Sequence, residues 1–163
     1  MKKQFFVFSL VLLGLSASIS LGAQTYKSAI GVRAGYPWAA SYKTFISDNS
    51  AIEIYGAVRG YNHYGWFSIN GAYLLHFPIE GVDGLQWYAG AGAGLFFWHY
   101  DKAFGDPGAK QSLSIQGYLG LDYKLPDIPL NLTLDWVPNI FINGYDSGFY
   151  ARYGNLGVRY VIN

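Results

Sequence analysis

Cysteine is absent from the 163 residues, so no disulfide can staple the chain and a lipid anchor on an N-terminal cysteine is excluded. Charge is scarce: Asp, Glu, Lys and Arg together make up 13%, against about 25% in an ordinary soluble domain. The eleven basic and ten acidic side chains nearly cancel, and they form no clustered basic face of the kind nucleic acid requires. Long hydrophobic runs are missing as well. The apolar stretch from Phe5 to Leu15 is shorter than the roughly 20 residues of a membrane-spanning helix, and no later stretch is long enough to be one. If this chain crosses a membrane, it must do so with strands.

What is present starts with an export signal. Met1-Lys2-Lys3, the apolar Phe5 to Leu15, a run of small residues and Leu21-Gly22-Ala23 before Gln24 read as a cleavable secretory signal peptide processed after Ala23. The chain therefore divides into a signal peptide over 1–23 and one domain over 24–163. Removing Lys2 and Lys3 leaves nine basic against ten acidic side chains. Aromatic residues reach 19%, and 21 residues are Gly. Tyr and Trp dominate the aromatics, and these are the side chains that settle at membrane interfaces with the ring in the acyl boundary and the polar tip among headgroups.

Eight segments of alternating hydrophobicity follow, near 28–37, 40–47, 51–61, 66–78, 85–99, 112–124, 130–142 and 150–162. In Leu130-Asn131-Leu132-Thr133-Leu134-Asp135-Trp136 the period of two sends the Leu and Trp side chains to one face and Asn131, Thr133 and Asp135 to the other. All but the short second segment reach the roughly 9–11 residues that cross a bilayer at a tilt. Asp48-Asn49-Ser50, Glu80 to Gly84 and Pro126 to Pro129 read as tight turns. Trp38 to Ala40, Asn62 to Gly65, Asp101 to Gln111 and Asn143 to Phe149 read as the loops of the opposite end, periplasmic turns being short and external loops longer. The expectation is an all-β fold, an eight-stranded antiparallel up-and-down transmembrane β-barrel. Its rival is a soluble secreted β-barrel or sandwich that buries the same apolar face.

Parity assigns the faces. Outward go Ile30, Val32, Ala34 and Tyr36, and on later segments Ile54, Phe67, Ile69, Leu95, Ile115, Leu134, Trp136 and Val158, with no charged side chain among them. The opposite parity holds Asn70, His76, Gln86, Gln116 and Asn155, and the charges Arg33, Lys43, Glu53, Arg59, Asp122, Asp135 and Arg159. An unpaired charge facing lipid at mid-membrane costs about 2–4 kcal/mol, which explains the sorting. The seven charged residues are the candidate site: a polar lumen network, structural or gating, in a barrel whose interior side chains nearly fill.

Other motifs carry less. Gly90-Ala91-Gly92-Ala93-Gly94 looks like a phosphate loop but lies within an alternating strand with no following helix or Lys; its Gly residues make room for bulky lumen neighbours or let the strand bend. Asp146-Ser147-Gly148 matches an aspartic-protease triplet without a second copy. His99, next to Tyr100 and Asp101 at an outer edge, offers the raw material of general-base catalysis but has no placed nucleophile. His76 reads as a lumen hydrogen-bonding group and His63 as a loop residue. No catalytic residue, metal ligand or cofactor is assigned.

The signal, the amphipathic strands, the lumen charges and the closing segment Gly154-Asn155-Leu156-Gly157-Val158-Arg159-Tyr160-Val161-Ile162-Asn163 together resemble the small single-domain outer-membrane β-barrel proteins of the OmpA/OmpX-like type. The resemblance covers about residues 26–163. It implies location in the outer membrane of a Gram-negative cell envelope, contact with outer-membrane lipid, assembly by the barrel-insertion machinery, a monomeric state, and loops free to meet an extracellular ligand. That machinery reads a final strand ending in an aromatic, whereas here Tyr160 is the last aromatic before Asn163. The functional expectation is a non-enzymatic structural or surface-interaction barrel. The alternatives are a narrow gated channel for small solutes, a lipid-modifying outer-membrane enzyme and a soluble binding module.

Overall fold

In a computed structural model, which describes residues 26–60, 64–100, 111–143 and 147–162, the chain is a closed antiparallel barrel. Its strands are β1 (Ser28–Tyr36), β2 (Trp38–Phe45), β3 (Ser50–Gly60), β4 (Tyr64–Pro78), β5 (Leu85–Tyr100), β6 (Gln111–Lys124), β7 (Leu130–Trp136), β8 (Asn139–Phe141), β9 (Gly148–Tyr150) and β10 (Gly154–Ile162). β7 with β8, and β9 with β10, are each one wall strand interrupted, so the wall has eight staves. Neighbours in sequence pair throughout, and β1 closes the ring against β10, with Ser28 opposite Ile162 and Tyr36 opposite Gly154. Closure gives each of the eight staves a partner on both sides along the body of the wall, which is what an apolar solvent demands of a sheet.

Two ends are distinguishable. The turn end gathers the connections 46–49, 79–84 and 125–129 and both described chain ends. There Ile46 N bonds Ser50 O at 2.8 Å and Lys124 N bonds Gly84 O at 2.9 Å. Gly84 has a φ of 82° and no room for a Cβ beside Lys124 O, a backbone state that suits Gly alone. The loop end holds the connections after β1, β3, β5 and β8; most of the segment Asp101 to Gln111 lies outside the described residues.

Several boundaries depart from the sequence reading. Trp38 to Ala40 is not a loop: β2 begins at Trp38, and only Pro37, which has no N–H to give a ladder, separates it from β1. Tyr64 and Gly65 are strand, paired with Tyr100 and His99. The final two staves break at one level. Val137 and Pro138 face Ala151, Arg152 and Tyr153, two residues against three, because β8 pairs Asn139 with Tyr150 while β7 pairs Trp136 with Gly154. This is a β-bulge, bridged by Val137 N to Tyr153 O at 2.9 Å. It reverses the parity of the stave, so Tyr150 as well as Tyr153 packs against the inner cluster.

The outer face is apolar and the inner face polar, opposite to a soluble barrel. Ile30, Val32, Ile54, Ile69, Leu134 and Leu156 are each more than half exposed, whereas Arg33, Lys43 and Asp122 have no exposed surface at all. Phe67 stacks on Phe97 and Phe77 on Trp87 outside the wall. Tyr36 is the exception to the outward set: its ring turns over the loop-end rim against Tyr153, 5.1 Å away.

Candidate functional site

The lumen is filled in layers from the turn end to the loop end. Nearest the turns is a small apolar cluster of Tyr26, Ala29, Phe45, Ala51 and Val161. Above it lies the charged network. Next comes a belt of amides and tyrosines. An aromatic lid closes the loop end.

The charged layer joins six of the seven charges expected in the lumen. Arg33 on β1 donates to Glu53 at 3.1 Å and to both oxygens of Asp135 at 2.8 and 2.7 Å. Arg159 on β10 donates to the same Glu53 oxygen at 2.5 Å, to Ser41 Oγ at 3.0 Å and to Thr133 Oγ1 at 3.0 Å. Lys43 on β2 meets Asp122 on β6 at 2.5 Å and His76 on β4 at 2.7 Å. Asn131 donates to the other Asp122 oxygen at 2.6 Å, and the Tyr88 hydroxyl to Asp135 at 2.7 Å. Three cations thus meet three carboxylates, all at most 5% exposed, and the network ties together every stave of the wall. Such neutrality is required: a charge buried without a partner is far costlier than any single contact returns.

Arg59 is the correction. It stands at the loop end, half-buried, with its guanidinium 4.5 Å from the Tyr36 ring centroid and Nη1 donating to Gly35 O at 3.3 Å. It shares the inward parity of Glu53, but three turns of the pleat carry it beyond the charged layer, where no buried carboxylate lies among the described residues.

In the belt, the Tyr55 hydroxyl meets Tyr118 at 2.8 Å, Tyr118 donates to Gln116 Oε1 at 2.6 Å, and Gln116 Nε2 donates to Asn70 and Asn139, each at 2.9 Å. Arg33 stacks over Tyr55 at 4.5 Å, linking belt to network. The lid above is Trp66, Phe96, Trp98, Phe141 and Tyr153, with ring centroids 4.8 to 6.5 Å apart in the Phe96, Phe141 and Tyr153 group. Between belt and lid lies a cavity of about 10 Å³, room for about one water molecule. Glycine makes the filling feasible: a Cβ on Gly94 would strike Asn70 and Gln116, and one on Gly120 would strike Tyr88.

Asn70 and Gln116 of the belt fall on the inward face expected from parity, whereas the belt tyrosines and the lid are additions of the structure, although a signal for the lid existed. Trp66, Phe96 and Trp98 share the inner parity of Asn70 and Gly94, and each sits at the loop end of its strand. His99 faces outward, exposed, paired with Gly65, and no Ser or Asp among the described residues hydrogen-bonds to it. Of the Asp146-Ser147-Gly148 triplet, Asp146 lies outside the described residues, as does His63. Among the described residues no group of three His, Cys, Asp or Glu side chains comes together as a metal site.

What this geometry does is hold six mutually paired charges out of contact with solvent. No family model and no curated protein matches the chain. Among solved structures it is similar to the N-terminal β-barrel domain of Pseudomonas aeruginosa OprF, with a TM-score of 0.62 at 17% identity, covering 83% of this chain and 94% of that one. It is also similar to Neisserial surface protein A, with a TM-score of 0.56 at 16% identity, covering 83% of this chain and 93% of that one. The chain therefore has the fold of the small outer-membrane β-barrels.

Proposed function

We propose that the chain is an integral outer-membrane β-barrel with a structural or surface-interaction role, exported by residues 1–23 as a cleaved signal, with 24–163 as the barrel domain. It works as a monomer, bathed in outer-membrane lipid after delivery by the barrel-insertion machinery, and its loop end meets any extracellular ligand. It catalyses nothing. The observation that carries this reading is the filled lumen under an apolar exterior: Arg33, Lys43, Glu53, Asp122 and Arg159 are at most 1% exposed, which supports a closed lumen. An exterior of half-exposed Ile, Leu and Val needs lipid around it.

The narrow-channel reading needs those charges to part and hydrate, and the lipid-modifying reading needs a nucleophile at His99. The test is heat modifiability followed by conductance. The full chain, expressed with its signal, is expected in outer-membrane fractions, migrating faster unboiled than boiled, and silent in planar bilayers. Discrete conductance steps would replace this reading with the gated channel. A soluble product without a mobility shift would replace it with the secreted module.

A further inference from the structure

The two ends of the lumen are closed by different kinds of residue. The loop-end lid is built from side chains of β4, β5 and β8 together with Tyr153 in the bulge, whose backbone is bridged to Val137. At the turn end, strand side chains such as Phe45 and Val161 are joined by one residue from outside the sheet. Tyr26 precedes β1, yet it is only 4% exposed, while Lys27 beside it is exposed. Its ring meets Phe45 edge-on at 5.1 Å and 87°, within the cluster of Ala29, Ala51 and Val161. Its hydroxyl donates to Asp122 Oδ2 at 3.0 Å, the same oxygen that Lys43 holds at 2.5 Å. A residue outside the sheet thus completes the shell of a buried ion pair.

We propose that Tyr26 is a removable stopper: the segment ahead of β1 docks its tyrosine into the turn-end mouth, and withdrawing that side chain admits water to Lys43 and Asp122. The physical argument is one of anchorage. A strand residue leaves its place only if the ladder opens, whereas Tyr26 lies just beyond the last backbone bond of its segment, Phe45 N to Lys27 O at 2.9 Å, and is itself retained by one ring contact, its apolar neighbours and one hydrogen bond to a carboxylate. Segments held by few contacts open at the low end of the range of local stabilities. The turn end is therefore the mouth through which the lumen hydrates first.

The absence of cysteine makes the test clean. Ala51 is fully buried beside the stopper, and Ala57, 2% exposed, lies under the loop-end lid. Ala51→Cys and Ala57→Cys are placed singly in the full chain, folded in lipid vesicles, and exposed to a small cationic methanethiosulfonate. With Tyr26 present both thiols should react slowly. Tyr26→Ala should speed modification at Ala51→Cys by about tenfold or more, leave Ala57→Cys unchanged and preserve the fast unboiled band. Tyr26→Phe, which keeps the ring, should stay close to the natural rate. The proposal is overturned if Ala51→Cys is as slow with Tyr26→Ala as without it, if it is already fast with Tyr26 in place, or if both reporters accelerate together. Should Tyr26→Ala yield no heat-modifiable band, Tyr26→Leu carries the same two arms. Loss of the band with the natural tyrosine would instead strike the outer-membrane barrel reading.

Discussion

The turn-end half of the lumen is filled with charge and the loop-end half with rings, although both are equally cut off from water. Arg33, Lys43, Glu53, Asp122, Asp135 and Arg159 are linked by hydrogen bonds that run across the barrel, while Trp66, Phe96, Phe141 and Tyr153 touch mainly through ring faces and edges. The two fillings fail differently. An ion-pair network is satisfied as a set or not at all, because each charge is the solvent of another. Rings lose contact area in proportion to what is removed. The first kind of filling fixes which strands sit opposite one another, and the second fixes how tightly an end is shut.

The largest effect should come from taking one charge out of the first half. Arg33→Met leaves Glu53 with Arg159 and strips Asp135 of its only cation among the described residues, which should cost about 3–5 kcal/mol. The midpoint of urea unfolding from lipid vesicles, followed by loss of the fast unboiled band, measures it. Lys43→Met combined with Asp122→Asn should cost much less than the sum of the two single changes, since removing both members strands no charge. A pair that adds fully would mean that Lys43 and Asp122 act as independent polar groups, and the contrast between the halves would collapse.

Next in size is a charge placed on the outer wall. Leu134, 57% exposed on β7, should tolerate Phe but lose about 2–4 kcal/mol as Leu134→Arg if lipid surrounds it. Equal midpoints for Leu134→Phe and Leu134→Arg would mean that water bathes this face. The inward neighbour Thr133 is not the harmless control that alternation alone suggests. Its Oγ1 already accepts from Arg159 at 3.0 Å, so a second guanidinium there would face the first inside a filled lumen.

These comparisons mark what the sequence discloses. Alternation is a local property, and it set the face of Leu134, Glu53 and Asp122 correctly because lipid and lumen impose opposite solvents on successive residues. It also yields eight staves with boundaries within a few residues of those observed. The height at which each charge falls is not local. Arg33, Glu53, Asp135 and Arg159 meet because the stagger of the closed sheet brings β1, β3, β7 and β10 to one level, whereas Arg59, with the same parity and chemistry, is carried past it. The bulge at Ala151 to Tyr153 was equally hidden, for Tyr150 and Tyr153 are acceptable on either face of a membrane strand, and one inserted residue decided between them. Tyr26 lay outside every alternating segment, so nothing in the pattern drew it into the lumen.

A smaller change probes the ring-filled half. Trp98 Nε1 donates to Ser112 Oγ at 2.9 Å, a side-chain hydrogen bond beneath the lid. Trp98→Phe keeps a ring in place and removes this bond, so the expected loss is about 1 kcal/mol, read from the same urea midpoint. A loss as large as that of Arg33→Met would show that the lid, too, behaves as a network.

The smallest effect carries the most information in its sign. Asn155 lies opposite Asp135 in the register of β10 and β7, yet its Oδ1 is buried without a hydrogen-bond partner among the described residues, beside the cavity of about 10 Å³. An acceptor left bare is a cost to the folded state, and replacing it by an apolar group of similar shape is nearly neutral or stabilising. Asn155→Leu should therefore leave the midpoint unchanged or raise it by up to about 1 kcal/mol. If it instead falls by a comparable amount, the amide is solvated in the native barrel by a water in that cavity, which needs two or more polar partners such as Asn139 and Ser68 to stay. The boundary between the two halves would then be wet, and the charged layer would end at a hydrated shelf beneath the rings.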